Sequence, residues 1–147
     1  MIKTLRTTNI FNVLNAIPAI TALVEVFSEK PNEEYLGTDS YLYLSKVTDP
    51  VTTASDSGIN WWSLIKQTIV TFAIVAWLNT IKTDTDELYD IVDVINQEIV
   101  SEWCVKISQW DTIRVKAIDE WSPATIVYNT KNRAVLLKQY LFTYYAK

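Results

Sequence analysis

Asp86, Asp90 and Asp93 are the residues of this chain whose type and spacing come nearest to chemistry. Carboxylates one helical turn apart, as in Asp86 with Asp90 and Asp90 with Asp93, can share a divalent cation or pass a proton between them. The company such a site needs is missing. The 147 residues include no histidine, which removes the commonest general base, the histidine-paired serine and cysteine nucleophiles, and the commonest transition-metal ligand. Cys104 is the lone cysteine, so neither an intramolecular disulfide nor a thiolate metal site can form, and it reads as a small buried hydrophobe. Gly37 and Gly58 are the only glycines and neither begins a helix, so no phosphate loop exists. An acid run on the outer side of an amphipathic helix is more often a solvated face. The sequence therefore assigns no catalytic, cofactor-binding or metal-binding residue. A small metal-dependent hydrolase using the three aspartates is the competing class.

The net charge of −4 and pI near 4.8 argue against a protein that grips nucleic acid by neutralising phosphates. Six tryptophans and eight tyrosines could stack on single-stranded bases, but stacking platforms come with a cationic groove that this composition does not supply. Core and interface are the better homes for these rings. Trp61 and Trp62 are adjacent, and neighbours on a strand face opposite ways, so one of them looks outward and is a candidate protein contact.

Helical and strand periods alternate along the chain. Ile2, Leu5, Ile10, Val13, Leu14 and Ile17 mark an amphipathic helix through about Asn15, and Pro18 opens a short second helix with Ile20, Leu23 and Val24 inward. Glu25 to Ser40 reads as a polar connection and Tyr41–Val47 as the first strand. A Ser/Thr/Asp-rich loop from Asp49 to Asn60 leads to the run Ser63–Trp77, one long strand of β-branched and aromatic residues. Such a strand spans roughly 50 Å at about 3.3 Å per residue, more than a small domain usually needs. Leu88, Ile91, Val92, Ile95 and Ile99 form the stripe of a helix that Asp84 caps, with no Lys or Arg between Thr83 and Glu102. Thr112–Ile118 and Arg133–Ala146 follow as two more strand candidates, with Thr125 to Tyr128 between them and Pro123 keeping its surroundings out of any central strand.

The expected fold is a single α+β domain over residues 1–147, an antiparallel sheet of about four strands with helices packed on one face, in the order ααββαββ and without internal repeat. Both faces of the two longest strands are rich in apolar groups, and helices can cover one of them. The other needs a partner, and another copy of the chain is the expected one. Phe72, Ile74, Tyr140 and Phe142, with Trp61 and Trp62, are the expected interface residues. The amino terminus lacks the apolar core of a signal peptide, and the longest apolar run, Ile69 to Leu78, is about half the ~20 residues of a membrane span. A soluble, cytoplasmically made protein is expected.

The arrangement of elements resembles the tail-terminator (tail completion) family of long-tailed bacteriophages. IFNVLNAIPAITALV is similar to that family's opening helix, break and short second helix, and the Phe27 to Pro31 loop into YLYLSKV to its approach to the first strand. QTIVTFAIVAW, DELYDIVDVINQEIV, IRVKAIDEW and TIVYNTKNRAVLLKQYLFTYYA follow in the expected order, so the likeness covers nearly the whole chain. Glu25 departs from it, standing where members often carry glycine, and the 48–60 loop has no matched motif. The resemblance implies a virion protein of the tail or neck, assembled in the host cytoplasm. It would form a ring, commonly hexameric, that ends polymerisation of the tail tube protein and meets the head-tail connector or stopper protein. It implies no enzyme activity, no cofactor and no membrane. DNA would pass through the lumen without specific binding, and because lysines would hold its phosphates, part of the Asp84 to Glu102 helix, with Asp86, Asp90 and Asp93, is expected at the lumen or rim. A neck protein or a tube protein is the alternative within the same class.

Overall fold

The computed structural model describes residues 6–32, 40–49, 51–53, 64–77, 86–100, 115–129 and 133–146. Helix α1 (Thr7–Asn15) turns Ile10, Val13 and Leu14 inward, and the Asn9 side chain accepts the Arg6 N–H at 3.0 Å to close its first turn. Pro18 sits at the first position of α2 (Pro18–Thr21), where its missing N–H costs nothing. Strand β1 (Glu25–Phe27) then lies beside β2 (Tyr41–Val47) in parallel, so the expected polar connection opens with a strand and the sheet is mixed. β3 (Val51–Thr53) follows, inside what reads in the sequence as loop, and then β4 (Leu64–Trp77). Helix α3 (Asp86–Ile99) buries Leu88, Ile91, Val92, Ile95 and Ile99 along one stripe. β5 (Val115–Glu120), β6 (Thr125–Asn129) and β7 (Arg133–Ala146) complete the order.

The sheet has seven strands where about four are expected, and the reason is local. β4 and β7 pair antiparallel without a break from Leu64↔Ala146 to Trp77↔Arg133. β2 and β3 lie end to end along one flank of β4, and β5 and β6 end to end along one flank of β7. Four lanes therefore carry six strands, and β1 adds the seventh at one edge.

The two broken lanes are related by a two-fold pseudo-symmetry that the sequence does not display. An axis through the Val70↔Tyr140 pair exchanges β4 with β7 and sets Leu44↔Phe72 on Ile118↔Phe142, and Lys46↔Thr71 on Asp119↔Leu141. Even the breaks correspond. Thr48 Oγ1 accepts the Ile69 N–H at 2.9 Å on one side, and Ser122 Oγ accepts the Gln139 N–H at 3.2 Å on the other. At each interruption a hydroxyl replaces the carbonyl that the ladder lost, which lets a long central strand keep its hydrogen bonds past a gap.

Alternation along β4 and β7 divides their side chains between two faces. Val70, Phe72, Ile74, Ala76, Ala134, Leu136, Tyr140, Phe142 and Tyr144 join the apolar residues of α1, α2 and α3 in one core. Helices on one face of the sheet are thus as expected. Phe72, Ile74, Tyr140 and Phe142, however, are fully buried in that core, so their expectation as subunit contacts is corrected. The apolar surplus was real, but the residues chosen to represent it carry the parity of the helix-covered face. Phe72→Ala should lower the unfolding free energy by about 3–5 kcal/mol in urea titrations. Unchanged stability together with a smaller oligomer would return Phe72 to an interface.

Candidate assembly surface

The second face of the sheet is built from the residues between those core positions. Its rows across β4 and β7 alternate in character: Gln67 with Thr143, Ile69 with Leu141, Thr71 with Gln139, Ala73 with Leu137, Val75 with Val135. The polar rows are tied, Gln67 Nε2 donating to Thr143 Oγ1 at 3.4 Å and Gln139 Nε2 to Thr71 Oγ1 at 3.3 Å. Ile69, Val135, Leu137 and Leu141 are half-buried, whereas Ala73 and Val75 across from Leu137 and Val135 are buried. No helical residue of the core cluster packs on this face among the described residues. At one flank Tyr43 stacks on Tyr41, and Phe27 meets Tyr41 edge-on. Bonded polar rows between aliphatic ones suit a surface that must be stable in water and still dock to protein.

Four large apolar side chains stand out from the described surface: Leu23, Tyr89, Trp121 and Val127. Trp121, 54% exposed, sits in the gap between β5 and β6, where its main-chain N–H donates to the Gln139 carbonyl at 3.0 Å. It was not among the expected contacts. The available signal was a tryptophan two residues before Pro123, where a strand must be interrupted and the ring cannot be enclosed by a continuing ladder. Trp61 and Trp62, the tryptophans expected as contacts at the entrance of the long strand, lie outside the described residues, as do Asp84 and Cys104.

Lys138 is the buried charged residue that strand patterning does not explain. It lies on the helix-covered face, 5% exposed, with Nζ 2.9 Å from Glu120 Oε1 and 2.7 Å from the Ser122 carbonyl. The same Glu120 oxygen accepts from Asn96 Nδ2 at 2.9 Å, and Asn96 Oδ1 accepts the Tyr140 hydroxyl at 2.5 Å. The ammonium lies 5.7 Å from the Tyr140 ring centroid and closes the loop by a cation–π contact. Helix α3 is thereby locked to the β5–β6 gap and to β7 by a network in which each member has a partner. Ser40 Oγ donates to Glu87 Oε1 at 2.9 Å and ties the start of the same helix to the head of β2.

Asp86, Asp90 and Asp93 are exposed on the outer side of α3. They form no group that could hold a metal ion, nor does any other set of three acids or cysteines among the described residues. Among the described residues no helix is long and apolar enough to cross a membrane.

No family model matches the chain, and no curated protein matches it. Among solved structures it is similar to a chain of "Virion of native gene transfer agent (GTA) particle", with TM-score 0.63 and 10% identity over 95% of this chain and 93% of that one. At that identity the likeness is one of fold, and it extends end to end.

Tyr140 offers a pH test of the network. Burial first, then the Glu120 and Asp93 carboxylates, raise its phenol above the ordinary value near 10. A raised folded-state value gives stability that is fully present below about pH 10, where both states keep the proton, and lost above it, where only the unfolded chain releases it. Tyr140→Phe should cost about 1 kcal/mol at pH 8 through the lost Asn96 hydrogen bond. The gap from the parent protein should narrow as pH rises toward 11 in urea titrations, and a gap independent of pH would contradict the account.

Proposed function

We propose that this chain is a non-enzymatic structural protein of a phage-like virion that forms a ring, hexameric as in the family it resembles, at the head-proximal end of the tail tube. There it ends tube polymerisation and joins the tail to the head connector. The observation that carries the reading is the end-to-end likeness of fold to a chain of a gene transfer agent virion. The second face of the sheet supports it: bonded polar rows, with half-buried Ile69, Val135, Leu137 and Leu141 between them and no helix of the core cluster over them among the described residues, give a subunit surface to share with neighbours. A ring closes through heterologous contacts, in which two different patches of one subunit meet, and it needs no catalytic group. Removing the four buried core residues from the interface leaves this reading intact, because the surplus it rests on lies on the opposite face.

Within the ring, Asp86, Asp90 and Asp93 face the lumen or its rim, where negative charge keeps the phosphates of passing DNA from adhering. Their exposure on α3, away from the core, is what this placement requires. Replacing all three by lysine should leave particle number unchanged while DNA ejection falls at least tenfold. Equal ejection by the variant would remove the acids from the channel.

The ring itself is tested by native mass measurement of the purified protein, alone and with its tube protein. A closed oligomer that caps growing tubes at one end in electron micrographs is the expected result. Incorporation along the whole tube instead of its end would make the protein a tube component. A monomer at every concentration, without effect on tube growth, would contradict assembly altogether.

A further inference from the structure

The two edges of the sheet differ in a way that a head-to-tail contact could use. At one edge β1 pairs with Tyr41, Leu42 and Tyr43 and then ends, so the outer side of β2 from Leu44 onward has no strand beside it among the described residues. A groove of about 370 Å³ opens there. Leu44 and Val47 line it with their aliphatic side chains, while Thr8 from the start of α1, Ser28 and Glu29 after β1, and Ser45 in the β2 bulge add polar groups. At the other edge the exposed indole of Trp121 stands in the β5–β6 gap.

Groove and indole lie at the two ends of one row across the sheet. Lys46 is opposite Thr71, Thr71 is opposite Gln139, and the Gln139 carbonyl takes the Trp121 N–H. A second copy laid beside the first, with its sheet in the same sense, therefore brings its Trp121 to the level of the groove without a shift along the strands. The charges agree. Asp119 and Lys46 occupy pseudo-equivalent positions on the second face, one at each edge, and both are exposed. In the juxtaposed copies they are diagonal neighbours, a spacing of about 7–8 Å that a lysine stem spans.

We infer that Trp121 of one copy seats in the groove between α1, β1 and β2 of the next, with Asp119 pairing across the joint with Lys46. The inference rests on the ring reading and names its contact. The indole packs its ring on half-buried Val47, with the core residue Leu44 as the floor of the groove, and its indole N–H has Glu29 and the Ser45 hydroxyl as acceptors there. Because the two patches are different, each copy keeps one free patch of each kind until the ring closes.

The test uses complementary blocked variants of the full chain. Trp121→Ala keeps the groove and loses the plug, while Ser45→Trp fills the groove and keeps the plug. Each alone should remain monomeric in sedimentation at concentrations where the parent protein assembles, with at least a tenfold loss of apparent association constant. Mixed in equal amounts they should give a one-to-one dimer that grows no further. Asp119→Lys and Lys46→Asp should each weaken assembly, and the double variant should recover it, a readout that does not depend on Trp121. If the parent assembles and Trp121→Ala assembles equally, or the mixture gives no dimer, the contact is overturned while the ring stands. If the parent never assembles, alone or with tube protein, ring and contact fall together.

Discussion

The register between β4 and β7 is the constraint on which the rest of the structure depends. Two strands of 14 residues each, both rich in apolar side chains, pair over their whole length, and the choice of register decides which half of those side chains the helices cover. A slip of one residue would exchange the two faces: Phe72, Ile74, Tyr140 and Phe142 would leave the core and Ala73, Val75, Leu137 and Leu141 would enter it. The register is held from three sides. Core packing favours the larger aromatic set inside, Lys138 finds Glu120 and Ser122 only from the helix-covered face, and the Thr48 and Ser122 hydroxyls key the flanking lanes to Ile69 and Gln139.

Much of this was legible in the sequence. The last strand runs over Arg133–Ala146 as its alternation indicates, the long strand over Leu64–Trp77, and Pro18 opens a second helix. Face assignment was not legible. In β7 one parity carries Leu136, Tyr140, Phe142 and Tyr144 and the other Val135, Leu137 and Leu141, so hydrophobicity alone gives no preference, and only the position of the helices decides. β1 and β3 were missed because three residues are too few to display a period, and each exists only because a longer strand beside it offers a ladder. The pseudo-symmetry leaves little trace in residue identity, since a sheet asks only for inward or outward character at each place. Its faint mark is a hydroxyl residue followed closely by proline, Thr48 with Pro50 and Ser122 with Pro123.

Lys138 illustrates how a polar residue is admitted to a core. Its neighbours on that face are Leu136 and Tyr140, and an ammonium among them is tolerated because the β5–β6 gap turns a main-chain carbonyl and Glu120 toward it. The gap is therefore a structural joint. It interrupts the outer lane, supplies the acceptors that fix α3 through Asn96 and Tyr140, and leaves Trp121 standing out from the edge. The joint that this network anchors on its inner side also presents the most exposed aromatic ring among the described residues.

The account stands on the claim that adjacent residues of β7 belong to different worlds, one to the subunit's own core and the next to a surface shared with neighbours. Thiol labelling of Leu136→Cys and Leu137→Cys, each with Cys104→Ser, compares the two directly in dilute subunits and in the assembled form. The account predicts that position 136 labels slowly in both, whereas position 137 labels readily in the dilute subunit and becomes protected on assembly. Equal protection of both in the dilute subunit, or no change at position 137 on assembly, would contradict it.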